Sequence, residues 1–590
     1  MYKWIEKVSI PLLWILFTAV FVFHLDETQS SVFFYREQQQ LFLLDADYLL
    51  DMAAPIGGIG TVISCFLIQF FRLPMMGAFI TALIAGLSAA FFWMVLRRIR
   101  VARFLFPLTF LPAMFLCLYL INDSYHYEGL VAVCISMAAL ALYAYLSDKV
   151  SWAYRVTVGS VLGILLFYSL GSVAMMFMMG MFAFDLIRKK EKWYAGIIPL
   201  LLYVITGAIA VNRGFKPLYE HVFWMKDYVE YFVEIKTLYG LSWLMVPLVM
   251  LLFYLARYVE KLKIYWKTLL MLLIIILVGT CYVKETKSFR NKETQALMQL
   301  FHYMDTEQWN KIIQYPCLNT KNYLHLNCLN LALSNTDQLC ADLFKYPQSG
   351  VASLMSQYQG HPEESYLFSQ IYYRIGVISL AYDLAFGVSV GFAHGSPAMT
   401  KLLIKSHLIY GRYRVAEKFI SLMERTLFYS KWATSQRKFL YNDEAVANEP
   451  ELGSRRKSLT ENRDVFANII SLRDNLALIL DANPMNKPAM DYMISVLLLT
   501  KDMPSIKHLV ETYGGTEALP ILPVLLQQAV VSYAEHDPDY CRRHGVSEQL
   551  LSDFMKFKQR VVNLRRSGQD LASGISDYRQ TFWYYLMLPR

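Results

Sequence analysis

The stretch GGIGTVISCFLIQFF, residues 57–71, decides how this chain is laid out. It is apolar, yet as a helix it would span only ~22 Å. Crossing the ~30 Å hydrocarbon core of a bilayer takes roughly 20 apolar residues. Arg72 and Pro74 follow at once. If 57–71 crossed, the basic run Arg97, Arg98, Arg100 and Arg103 would land opposite the N-terminal Lys3 and Lys7, and every later loop would invert. The stretch therefore reads as a re-entrant or in-plane helix of a first external loop, residues 24–73.

Outward from it lie nine apolar runs, several of them a little short and completed by flanking residues, at 9–23, 74–95, 104–121, 129–146, 155–170, 172–187, 195–211, 241–256 and 268–283. Every second connection is basic: the arginines at 97–103, Lys149, then Arg188, Lys189, Lys190 and Lys192, then Arg257, Lys261, Lys263 and Lys267. The intervening loops at 24–56, 122–128 and 171 hold almost no basic residues. Only 212–240 breaks the contrast, with Arg213, Lys216, Lys226 and Lys236. Positive charge stays in the cytoplasm. The expectation is a cytoplasmic N-terminus, about nine crossings, and everything after Val283 outside. Leu25-Asp26-Glu27 follows the first run where a cleavage site would need small residues, so that run reads as a signal anchor. The formal net charge of +9 arises largely in the cytoplasmic loops and needs no nucleic acid to explain it.

The expected fold is all-α: a transmembrane bundle over 1–286 and an extracytoplasmic domain over 287–590. Beyond about residue 290 the pattern becomes short amphipathic helices in pairs. KETQALMQLFHYMD (292–305) precedes TEQWNKIIQYP (306–316), and KNYLHLNCLNLALSN (321–335) precedes DQLCADLFKYP (337–347). TKLLIKSHLIYG (400–411) with RYRVAEKFISLMERTLFY (412–429), and KPAMDYMISVLLLT (487–500) with MPSIKHLVETYGG (503–515), repeat the theme. The hydrophobic period is near 3.6 throughout, without strand-like alternation. Such hairpins resemble tetratricopeptide-type (TPR-like) repeats, which stack because one hairpin cannot bury its own apolar face. The polar segment 442–466 reads as a surface loop.

There is no phosphate-binding P-loop, GxSxG or HExxH. Met175, Met176, Met178, Met179 and Met181 face all round one helix, which suits lipid and helix packing better than a metal path. No cysteine stands at zinc spacing. Cys317, Cys328, Cys340 and Cys541 fall in the external half, where an oxidising compartment would permit a disulfide without fixing the pair.

The polar residues that converge on the external face are acidic. Asp26 and Glu27 follow the first run, and Tyr35, Arg36 and Glu37 come ten residues later. Asp45, Asp47 and Asp51 lie on a short amphipathic segment, and Asp45-Ala46-Asp47 has the form of a DxD metal motif. The next external loop carries Asp123, His126 and Glu128. A carboxylate at that level can take a proton from an acceptor hydroxyl, or help hold a divalent cation, magnesium or manganese, against a lipid-linked phosphate. In the loop 212–240, Arg213 and Lys216 could neutralise that phosphate, while Trp224, Tyr228 and Tyr231 suit the headgroup region.

An acidic pair directly after the first span, in an external loop with in-plane helices, resembles the C-type (GT-C) membrane glycosyltransferases. Asp26-Glu27-Thr28 is similar to the first-loop motif of the branch holding protein O-mannosyltransferases and the aminoarabinose transferases of lipid A, although Gln29-Ser30-Ser31 replaces the usual aromatic and glycine residues. That resemblance implies catalytic roles for Asp26, Glu27 and Glu37, phosphate binding by Arg36, Arg213 and Lys216, and a polyprenyl-phosphate-linked donor. The strings YREQQQLFL (35–43), GGIGTVISCFLIQFFRLPMMGA (57–78) and YGRYRVAEKFISLMERTLFYSKWA (410–433) also resemble a family of uncharacterised multi-span proteins of Bacteroides-type bacteria.

Two function classes stand. One is an enzyme of the bacterial inner membrane, transferring a sugar or related group from a lipid-linked donor to a protein or envelope acceptor held by the repeats. The other is a membrane-anchored helical-repeat scaffold for envelope assembly or secretion. An enzyme needs a membrane-level cavity opening outward, with Asp26 or Glu37 and a basic residue at its wall, and the expectation is that Asp26, Glu27, Glu37, Asp123, His126 and Glu128 lie around that cleft.

Overall fold

The computed structural model describes residues 2–121, 125–147, 151–188, 194, 196–229, 241–259, 261–316, 322–391, 395–459 and 471–587. Of the described residues 79% are helical, and none forms a strand. It divides into two compact units: 1–37 with 42–295, and 38–41 with 296–590.

The first unit is built on α1 (Tyr2–Gln38), α2 (Ala46–Ala53), α3 (Gly58–Ile68), α4 (Met76–Ile99), α5 (Leu111–Tyr119), α6 (Glu128–Ser147), α7 (Trp152–Leu170), α8 (Ala174–Arg188), α9 (Ile197–Asn212), α10 (Glu220–Phe223), α11 (Leu241–Leu255) and α12 (Ile264–Phe289). Six helical stretches among the described residues are long and apolar enough to cross a membrane, with Trp152–Arg188 counted as one. Leu269, Leu272, Leu273, Ile276 and Leu277 of α12 are exposed, as lipid contact requires. On α4, Ala78, Ala82, Ala85 and Ala89 recur one turn apart and are buried; small side chains let helix backbones approach closely.

Contacting pairs give the directions of the helices. Phe21 meets Tyr282, His24 meets Thr286, and Gln295 donates to the carbonyl of Thr28, so α1 and α12 run the same way. Phe17 with Phe110, Gln29 with Cys117 and Arg36 with Leu120 set α5 parallel to α1. Trp14 bonds Gly86 while Phe33 packs on Gly77, so α4 opposes α1. Thr81 with Tyr127 and Ser88 with Cys134 make α6 parallel to α4. Gly159 faces Met181 and Gly163 faces Met178, so α7 and α8 form a hairpin that reverses at Gly171. α1 and α4, which flank α3 in the chain, therefore run in opposite directions.

One feature of the first loop differs from expectation. α1 does not stop at Asp26 and Glu27 but continues to Gln38. Its polar extension is held because Gln29 and Arg36 bond the carbonyls of Cys117 and Leu120, which cap the end of α5.

At the other end of the bundle Arg155 and Asp185 form a buried ion pair at 3.0 Å, and Tyr143 donates to the second Asp185 oxygen at 2.7 Å. Charges taken out of water persist only when paired and hydrogen-bonded, so this triad pins α6, α7 and α8 together.

The second unit consists of short helices in succession. Lys292–Asp305 precedes Trp309–Ile313, and Tyr323–Asn335 precedes Leu339–Asp342. Pro362–Ile375 precedes Ile378–Gly391, Pro397–Ile409 precedes Tyr413–Glu424, and Lys487–Thr500 precedes Met503–Tyr513. Four of these starts carry a side-chain cap from Asn322, Ser396, Asn486 and Asp502, whereas those at Trp309, Leu339, Pro362 and Tyr413 have none. The segment 442–466 is not a loop over its described part. Asp443–Asn448 and Pro450–Arg456 are helices capped by Asn442 and Glu449, and they bury Val446 and Leu452. Cys328, Cys340 and Cys541 are free thiols, and Cys317 lies outside the described residues.

Candidate functional site

α9 ends at Asn212, and the amides of Phe215 and Lys216 turn back onto the carbonyl of Ala210. The chain then folds over the bundle end: Val222 and Phe223 pack on Gly207, and Tyr203 donates to the carbonyl of Val222 at 2.5 Å. This return brings Asp227 onto the α7–α8 turn. Gly171 there has φ +81°, and a Cβ on it would stand 2.6 Å from Asp227 Oδ2. Glycine is thus demanded twice, by the backbone and by the carboxylate. The Tyr228 hydroxyl bonds the carbonyl of Leu170 and accepts from the amide of Val173. Burial, first of all, pushes that phenol well above its ordinary pKa. The amide of His126 donates to the carbonyl of Tyr228 at 2.8 Å, next to an isolated antiparallel bridge between Tyr125 and Val229.

Asp227 is the hub. Lys216 Nζ lies 2.9 and 2.8 Å from its two oxygens, His221 Nδ1 is 3.0 Å from Oδ1, and the amide of Ser172 donates to Oδ2 at 3.3 Å. Asp227, Lys216 and His221 are each nearly buried. Glu128, at the start of α6, bonds the hydroxyl of Thr61 on α3 and lies within electrostatic reach of both Asp227 and Lys216. Three loops and helix α3 therefore meet at one end of the bundle.

His221 Nδ1 faces Asp227, and the opposite ring nitrogen, Nε2, is buried with no hydrogen-bond partner among the described residues. The hydroxyl of Ser172 is buried and unpartnered in the same sense. Buried polar atoms are nearly always satisfied, so these two mark where a polar group belongs. A carboxylate that orients a histidine, leaving the far nitrogen free, is the arrangement of a general base.

The residues expected from sequence fall into separate places. Glu128 and Lys216 join the cluster. Arg36 is buried, bonds the carbonyl of Leu120 and lies within reach of Tyr127; Glu37 beside it is buried too. Asp26 is half-buried and Glu27 exposed, some 16 Å down the same continuous helix from Glu37. His126 and Arg213 are exposed. Asp45 caps α2 by accepting from the amides of Asp47 and Tyr48, and Asp47 is exposed. Among the described residues no group of three His, Cys, Asp or Glu could hold a metal ion. Asp123 and Tyr231 lie outside the described residues.

Asp227, His221, Ser172 and Thr61 went unread in the sequence. His221 lies in the short helix α10 and Asp227, six positions on, in a separate 3-10 turn, so no single helical or strand period relates them. The available signal was Gly171, a lone glycine breaking an apolar run.

No curated protein and no solved structure matches this chain. A family model does match, over residues 5–589, and the chain belongs to that family, the family of unknown function DUF6057.

Proposed function

We propose that the first unit is a membrane-embedded group-transfer enzyme. It would move a sugar or related group from a polyprenyl-phosphate-linked donor to a protein or envelope acceptor at the outer face of the bacterial inner membrane. The observation that carries this reading is the Asp227–His221 pair with its unpartnered Nε2, beside Lys216 and Glu128. His221 would take the proton from the acceptor hydroxyl. Asp227 would orient the ring and stabilise the imidazolium that forms. Lys216 and the exposed Arg213 would face the donor phosphate as it leaves.

Orientation follows from the same picture. The cluster lies at the bundle end away from Arg97, Arg98, Arg188 and Arg257, so the basic loops would be cytoplasmic and the cluster external. With α3 adding no crossing, nine crossings would leave the second unit in the periplasm, where its TPR-like helix pairs would hold the acceptor.

The deciding experiment compares wild type with His221→Gln in membranes. Transfer from a radiolabelled polyprenyl-phosphate sugar to endogenous acceptor should fall at least 100-fold while thermal stability stays, as loss of a general base costs typically 10²–10⁴-fold. Full cellular function in His221→Gln would leave the scaffold reading in its place.

A further inference from the structure

The second unit holds a cationic cavity of about 230 Å³, lined by Arg374, Arg455, Lys487, Asn483, Asn486 and Ser454 among others. Pockets that enclose a whole drug-sized ligand run ~300–1,000 Å³, so this one suits a single charged group.

Backbone carbonyls hold both of its guanidinium groups. Arg374 Nη2 donates to the carbonyl of Ser334 at 2.7 Å. Arg455 donates to the carbonyls of Tyr373 and Glu451, both at 2.9 Å, and stacks over the Tyr373 ring at 4.3 Å. Carbonyls hold geometry without cancelling charge. Burial first, and the nearby Arg455 charge next, lower the pKa of Arg374. Arg374 Nε–H is buried and donates to nothing among the described residues.

The carboxylates nearby do not fill the cavity. Asp337, at the rim, is 3.1 Å from Lys487 and 4.0 Å from Arg374. Asp491 lies below, hydrogen-bonded by Cys340 Sγ at 3.4 Å. Glu451 is taken by Lys405 at 2.8 Å and by the Tyr373 hydroxyl at 2.8 Å. With Lys405 counted, four cations stand against three carboxylates, and donors reach the cavity from three different segments of the chain. The first turn of Lys487–Thr500 adds its positive dipole end.

We propose that this cavity binds a phosphate group, either as inorganic phosphate or as a phosphate monoester. Fixed guanidinium donors from separate segments match a tetrahedral, multiply charged oxyanion better than a planar, singly charged carboxylate. The inference is independent of the chemistry proposed for the membrane bundle.

The test is calorimetric titration of the detergent-solubilised full chain with inorganic phosphate, with glycerol phosphate and with acetate. Saturable binding of a phosphate species, and none of acetate, is expected. Stronger binding of glycerol phosphate would identify an ester as the occupant, and stronger binding of inorganic phosphate the free ion. Lys487→Gln, on an exposed side chain, should weaken binding about tenfold, the effect of losing about 1.4 kcal/mol of interaction. Asp337→Asn removes the rim carboxylate at a position with φ +57°, which asparagine tolerates, and should tighten binding several-fold. The gain cannot come from misfolding. The proposal is overturned if wild type binds neither phosphate species up to tens of millimolar, or if binding is unmoved by both substitutions.

Discussion

Asp227 Oδ1 lies 3.0 Å from His221 Nδ1, and the ring's opposite nitrogen is buried with no partner among the described residues. The same carboxylate holds Lys216 through both oxygens. Removing the acid and removing the base should therefore differ. Asp227→Asn strands the Lys216 charge in a nearly buried place, and breaking such a pair costs about 3–5 kcal/mol. His221→Gln keeps the ion pair and should melt near wild type. Melting of the two variants in one detergent checks this; equal losses would show that the ion pair contributes little.

Gly171 offers a sharper test of the same contact. Alanine there would be strained at φ +81° and would put a methyl 2.6 Å from Asp227 Oδ2. Backbone strain of that kind costs of order 1–3 kcal/mol. Gly171→Ala should lower the melting temperature, and the loss should shrink in an Asp227→Ala background, where the clash is gone. Equal losses in both backgrounds would mean that the carboxylate is not pressed on the turn.

The ion pair at the opposite end makes a separate prediction. Asp185→Ala leaves Arg155 buried without a counter-charge, and a loss of about 3–5 kcal/mol is expected. Replacing both with apolar residues, Arg155→Met with Asp185→Leu, should recover most of it. Detergent melting curves of the single and double variants decide; a double variant as weak as the single one would mean that the triad has a role beyond pinning three helices.

What the sequence disclosed follows from which forces are local. Length and hydropathy are local, so the apolar runs reappear as helices, 57–71 among them as the short α3. The extension of α1 was hidden because Asp26 and Glu27 look like a helix stop. What carries the helix past them is a non-local fact, the bonds of Gln29 and Arg36 to the end of α5. Asp227 and His221 were hidden for the same reason: their meaning depends on a turn some 55 residues away. The helices within 443–456 were legible in principle, since Asn442 and Glu449 stand at cap positions before buried Val446 and Leu452. Overall polarity outweighed the caps in the reading.

Topology can be tested without any assay of activity. Single cysteines placed at Arg98 and at Ser567, in a chain otherwise lacking thiols, should respond oppositely to an impermeant maleimide added to spheroplasts. Position 567 should label and 98 should label only after lysis. Labelling of 98 in intact spheroplasts would invert the orientation and put the Asp227 cluster in the cytoplasm.

The last prediction concerns acid stability of the second unit, and it rests on His407. This side chain is buried between Tyr382 at 5.0 Å and Phe419 at 5.8 Å, measured between ring centres. Neither ring nitrogen has a hydrogen-bond partner among the described residues. Burial first, and the charge of Arg412 next, lower its pKa from 6.5 to about 4. The unfolded chain therefore takes up a proton between pH 6.5 and 4 that the folded chain refuses. Stability from this group is fully present above pH 6.5 and is lost as pH falls toward 4. The difference amounts to roughly 3 kcal/mol at about 1.4 kcal/mol per pKa unit. In pulse proteolysis of the full chain across that range, the region 397–424 should become cleavable as pH drops. His407→Phe keeps an aromatic ring in the same space and removes the titrating group, so it should flatten the pH dependence while leaving neutral-pH stability close to wild type. An unchanged pH dependence in His407→Phe would assign the acid sensitivity to other groups and show that His407 binds its proton alike in the folded and unfolded chain.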